Sequence, residues 1–201
     1  SPAAGTGNRR YLAHIMNPML DDTLANGGAI TTTPENAQAL LKVTDATAIG
    51  SWNGHAHYDT VAILGEDKRV YVAGYGAQGQ GGDGLDTGTQ SHWSTVSTAA
   101  GVPLENITKL YSGGEDHYTY FVAIDENFDV WVWGDAGGRR FANLTTNRNT
   151  NLVFATRLWD STARNRRANY VITNNVGSGG SSVEHGMVLM IASHQDSTGV
   201  E

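Results

Sequence analysis

The sequence predicts an all-β fold assembled from repeated antiparallel meanders. Three observations carry this. Charged residues make up 16% of the 201, while glycine appears 25 times, a balance that suits short strands and tight turns better than a helical bundle. Apolar runs of strand length, VAIL (61–64), VYVAG (70–74), FVAI (121–124) and VWVWG (130–134), are bounded by charged or glycine-rich turns. The chain also repeats itself. GHAHYDTVAILGEDKRVYVAGYG (54–76) matches GGEDHYTYFVAIDENFDVWVWGDA (113–136), and His57 and His117, like Gly74 and Gly134, stand 60 residues apart.

In chain order, residues 1–44 read as an adaptor or a degenerate first unit. YLAHIMNPML (11–20) is broken by Asn17-Pro18, and Thr33 precedes Pro34 and Glu35 as the cap of a short helix pattern. The opening SPAAGTGNRR lacks the apolar core of a signal peptide. Repeats fill 45–201, with clear units at about 45–84 and 107–140 and a truncated unit at about 170–201. Each unit starts with a strand rich in β-branched or aromatic residues: DATAIGS (45–51), ITKLYSG (107–113) and YVITNNVGS (170–178). A His and a hairpin follow, with GEDKR or DENFD as the turn. The third unit carries His185 in HGMVLMIA (185–192). Val70 and Val72 alternate with Tyr71, as Val130 and Val132 do with Trp131. Trp131 and Trp133 are expected on opposite faces, with at least one in the core. Segments 85–104 and 138–168, rich in Thr, Asn, Ser and Gly, read as long insertions between units, of the kind that gathers on one face and carries binding.

The loop GYGAQGQGGDG (74–84) contains G-x-G-x-x-G at Gly74, Gly76 and Gly79. A dinucleotide site needs a helix after that loop and an acid about 20 residues on. QGGDGLDTGTQ cannot propagate a helix, and no Asp or Glu lies between Asp86 and Glu105. GGDGLD (81–86) starts like a calcium-binding β-helix repeat, but one copy cannot bury its own face. The glycines therefore read as turns, and no cofactor is expected. One His per unit reads as a buried hydrogen-bonding residue, because a metal needs several converging ligands.

Taken together, the His, the A-I/L strand, the acidic turn, V-Y/W-V-W-G and the Gly/Gln loop resemble the repeat of the regulator of chromosome condensation family. GYGAQGQGGDG is similar to that family's G-x-N-x-x-G-Q-L-G-x-G, with glycine in place of the usual leucine. WGDAGGRRFANL departs further, with Arg139 and Arg140 where Gly-Gln stands in the family. The likeness covers 45–84, 107–140 and 170–192. It implies antiparallel β-meander blades of a β-propeller, incomplete within this chain, since a closed ring takes about 4–8 blades. A longer polypeptide is expected, or a ring completed by further copies.

The formal net charge of −7 and pI near 5.4 argue against nucleic acid as a partner. The one dense basic cluster, Arg164, Arg166 and Arg167, falls in a stretch that reads as a loop. The absence of cysteine excludes disulfides and thiol chemistry, and no apolar run approaches the length of a membrane-spanning helix. Glu115, Asp116 and His117 read as a turn into a strand, and no nucleophile, metallohydrolase or phosphate-loop motif appears, so no catalysis is expected. Binding is the expected class. Trp52, Tyr75, Trp93 and Tyr118 are the candidate contact residues, because exposed aromatics stack on sugars and anchor interfaces. The competing reading packs them between blades. Three lysines with abundant Asn, Thr and Gly suggest a structural module of a virion tail, fibre or decoration, or another extracellular attachment assembly. Its partners would be other structural chains, further copies of itself, or a surface glycan or receptor. The resemblance implies the alternative, an intracellular scaffold or GTPase-exchange-type signalling module.

Overall fold

A computed structural model describes residues 42–49, 59–86, 88–114, 119–135, 151–173 and 190–194. The first sheet contains β1 (Val43–Ile49), β2 (Thr60–Gly65), β3 (Val70–Tyr75) and β4 (Thr89–Thr95) in chain order, each antiparallel to the next. A small hairpin follows, β5 (Ser97–Ala99) with β6 (Val102–Pro103). The second sheet repeats the meander with β7 (Ile107–Gly113), β8 (Tyr120–Asp125), β9 (Val130–Gly134) and β10 (Leu152–Trp159). A one-turn helix, α1 (Ser161–Arg164), leads to β11 (Arg167–Ile172), which pairs with β12 (Met190–His194) as a third unit begins. These are the blades of a β-propeller, two whole and one begun among the described residues.

The 60-residue repeat extends to individual hydrogen bonds. Both central hairpins turn through three residues, the last of them left-handed. In one, Lys68 N–H donates to Gly65 O at 2.9 Å, with φ +61° at Lys68. In the other, Phe128 N–H donates to Asp125 O at 3.0 Å, with φ +64° at Phe128. Pairings Thr60↔Gly74 and Leu64↔Val70 recur as Tyr120↔Gly134 and Ile124↔Val130.

Side-chain alternation then assembles the sheets. Along β8, Phe121 and Ala123 face the first sheet, joining Ala62, Leu64, Val70, Val72 and Trp133 in one core. Tyr120, Val122 and Ile124 face the third unit and pack with Val130, Val132, Ala168 and Val171. β8 is thus buried on both faces. Trp131 and Trp133 share the face toward the first sheet, contrary to the expected opposite faces, because residues two apart on a strand point the same way. Trp133 is fully buried and stacks on Phe121 with ring centroids 5.6 Å apart.

The described parts of segments 85–104 and 138–168, expected to be insertions, contribute to the sheets. They supply β4 and β10, the fourth strand of each sheet. The third unit's first strand also starts earlier than predicted, at Arg167. The N-terminal helix pattern and the repeated His57, His117 and His185 lie outside the described residues.

The first strands stitch neighbouring units. Ile107 N–H donates to Lys68 O at 3.0 Å, and Ala168 N–H donates to Phe128 O at 3.3 Å. Leu110 N–H donates to Asp45 Oδ2 at 3.2 Å, and the Thr173 hydroxyl to Ser112 O at 2.6 Å. Tyr111 is half-buried between the second and third units. Burial holds its hydroxyl above the usual phenol range; a hydrogen bond with the Val171 backbone acts the other way, and Asp45 adds to the rise. The contribution to stability is whole below about pH 10, where both states stay protonated. It falls as pH rises through the higher folded value, because the unfolded chain ionises first. Urea titrations at stepped alkaline pH are expected to show Tyr111→Phe losing less stability than the parent chain.

Candidate interaction surface

The glycine loop is an internal joint. Residues 79–82 are buried. The Gly79, Gly82 and Gly84 N–H groups donate to the carbonyls of Gly76, Gly79 and Val153 at 3.0, 3.1 and 2.8 Å. In a phosphate loop such groups would point at the ligand; here they are engaged within the protein. Trp133 Nε1 donates to Gln80 O at 3.0 Å, and Asp83 bridges Phe154 on β10. A Cβ on Gly82 would lie 2.9 Å from Val96 and 3.0 Å from Trp133. The loop therefore pegs the first sheet to the second.

Of the four aromatic candidates, Trp52 and Tyr118 lie outside the described residues, as do Glu115 and Asp116. Tyr75 and Trp93 are brought onto the neighbouring strands β3 and β4, both half-buried and both engaged in local interactions.

Charge and aromatic surface converge elsewhere, where β10, α1 and β11 meet the β8–β9 turn. The 157–167 stretch, read as a loop, is the end of a strand, one helical turn and the start of another strand. Asp160 caps the turn by accepting from Ala163 N–H at 2.8 Å, and Asn165 ends it in the left-handed conformation with φ +50°. Arg164, Arg166 and Arg167, all exposed, are held there. Arg164 lies over the Trp159 ring at 4.5 Å, and Arg167 over the Phe128 ring at 4.8 Å. Each stack contributes about 0.5–1 kcal/mol at an exposed site. Trp159 is itself anchored, its Nε1 donating to Arg166 O at 3.1 Å.

The acids around this cluster are already engaged. Arg157 pairs with Asp129 at 3.1 Å and Asp160 at 3.0 Å. Asp129 also accepts from Ser161 N–H at 2.7 Å, and Glu126 pairs with Lys68. Asp125 accepts from the N–H groups of Asn127 and Asp129 and from Trp131 Nε1. The open pocket beside the arginines is lined by Glu126, Asn127, Phe128, Ser161, Thr162, Asn165, Arg166 and Arg167. Sequence reasoning found the arginines but not their site, because Phe128 reaches Arg167 only through the fold. Among the described residues no group of three His, Asp or Glu stands close enough to hold a metal, and no helix is long and apolar enough to cross a membrane.

No family model and no curated protein matches the chain. Solved structures similar to it include human WBSCR16, with a TM-score of 0.47 and 18% identity over 66% of this chain and 28% of that one. Prp20p from Saccharomyces cerevisiae, described with its binding properties to Gsp1p and histones, gives 0.45 and 15% over 72% of this chain and 30% of that one. Yeast RCC1 (Prp20) bound to Kap60 gives 0.46 and 13% over 67% and 28%. The chain thus spans less than a third of the length of each of these proteins.

Proposed function

We propose that the chain is a non-enzymatic, propeller-type interaction module that holds another protein at the arginine–aromatic surface. The observation that carries this is the combination found there: three exposed arginines, two of them seated on aromatic rings, on elements pinned to the buried core. Aromatic and arginine side chains that are exposed yet rigid are the residues that dominate interface energetics. Nearby carboxylates serve turns, caps and ion pairs, which favours scaffolding over acid–base chemistry.

A scaffold or signalling module fits this surface better than a virion or attachment part. The attachment reading rests on composition alone, and no glycan-type site among the described residues adds to it. Protein is also the partner class described for the yeast propeller, but the reading for this chain rests on its own surface.

Affinity enrichment from an extract of the source cells tests it, comparing the parent chain with Arg164→Glu/Arg166→Glu/Arg167→Glu. A protein retained by the parent and depleted at least about tenfold with the variant is expected. Equal retention by both chains, or no retained protein, would sink the reading.

A further inference from the structure

We infer that the partner is engaged through an acidic, carboxylate-bearing peptide segment, seated in the pocket beside Arg164, Arg166 and Arg167. This rests on the interaction-module reading above and specifies the chemistry of its partner.

Four observations support it. First, the cluster gathers three of the 13 Lys and Arg residues within four positions of a chain whose net charge is −7. Neighbouring Asp129 and Asp160 share Arg157, and Glu126, which lines the pocket, pairs with Lys68, so their repulsion of an incoming anion is reduced. Second, Arg164 Cζ stands 4.5 Å over the Trp159 ring, a contact that restrains the side chain while its guanidinium remains the group suited to bidentate recognition of a carboxylate. Third, the pocket wall is mixed. The Phe128 ring offers an apolar surface, while Thr162, Asn127 and Asn165 offer hydrogen-bonding groups. A peptide presents both kinds of surface within one segment. Fourth, the positive region is short. A nucleic acid would carry its charge beyond the cluster, where the overall net charge of −7 opposes a polyanion. Protein carboxylates therefore suit the site better than a phosphate backbone.

The test is fluorescence anisotropy with a short fluorescein-labelled Glu-rich peptide. A Lys-rich peptide and a single-stranded oligonucleotide of equal charge serve as comparisons. The Glu-rich peptide is expected to bind saturably and to weaken as salt screens the cluster. Arg164→Ala/Arg166→Ala should weaken it by about tenfold or more. Arg69→Ala, which removes an exposed arginine paired with Glu105 at another place, should leave binding unchanged. Circular dichroism and thermal melting check that the variants are folded. The inference fails if the Glu-rich peptide does not bind, if the double variant binds it equally well, or if the oligonucleotide binds as tightly. Should the enrichment experiment still recover a partner that depends on these arginines, the interaction module stands and only its acidic-peptide chemistry falls. Failure of both experiments removes both.

Discussion

Gly74→Ala is expected to cost on the order of 3 kcal/mol of stability. Gly74 closes β3 with φ +117°, and a Cβ there would sit 2.2 Å from the backbone oxygen of Asp59. That oxygen accepts from Tyr75 N–H at 3.0 Å, so it cannot retreat without breaking the end of the sheet. Strain and collision therefore act together. The same argument holds one repeat later at Gly134, where φ is +100° and a Cβ would lie 2.7 Å from Thr119 O. Gly101→Ala isolates the first effect, because its φ is +72° with nothing within 4 Å of the added methyl. That change should cost about 1 kcal/mol. Urea unfolding of the three variants decides the matter: if Gly74→Ala costs no more than Gly101→Ala, close backbone approach does not set the glycine near the end of each unit's third strand.

The second large effect is expected at Trp133. Its ring fills the space between the two sheets, stacks on Phe121 and donates to Gln80 O. Trp133→Ala removes the ring and the donor together and should cost about 4 kcal/mol. Trp133→Phe keeps most of the apolar contact and loses the N–H, for about 1–2 kcal/mol. Were the two variants equally damaging, the hydrogen bond to the glycine loop would outweigh the packing. Were Trp133→Phe silent, that bond would contribute nothing net.

The hairpins β2–β3 and β8–β9 were legible from sequence because they are local. Apolar alternation, charged turns and a terminal glycine all fall within about twenty residues. The fourth strands were hidden for different reasons. TQSHWST in β4 is a polar run, and its register with β3 is irregular. LVFATRLW in β10 carries a strand pattern, but it lies beyond a segment rich in Thr and Asn that reads as loop. The glycine loop could be denied a phosphate from sequence, since no helix follows it. That its Gly84 N–H donates to Val153 O on β10 depends on a strand about seventy residues later. The interaction surface divides in the same way. Its arginines were visible as a run, whereas the Phe128 ring beneath Arg167 comes from another sheet's turn. The aromatic residues chosen by type alone, Tyr75 and Trp93, proved half-buried within the first sheet.

The stitches from Ile107 N–H to Lys68 O and from Ala168 N–H to Phe128 O join main chain to main chain. Such a joint is indifferent to which side chains flank it. Neighbouring units can therefore drift apart in sequence, as lysine has come to stand at one turn and phenylalanine at the other, while the spacing between sheets is kept. In an ancestry of duplicated units, this would let one copy acquire an arginine-bearing surface without disturbing how its neighbours are aligned.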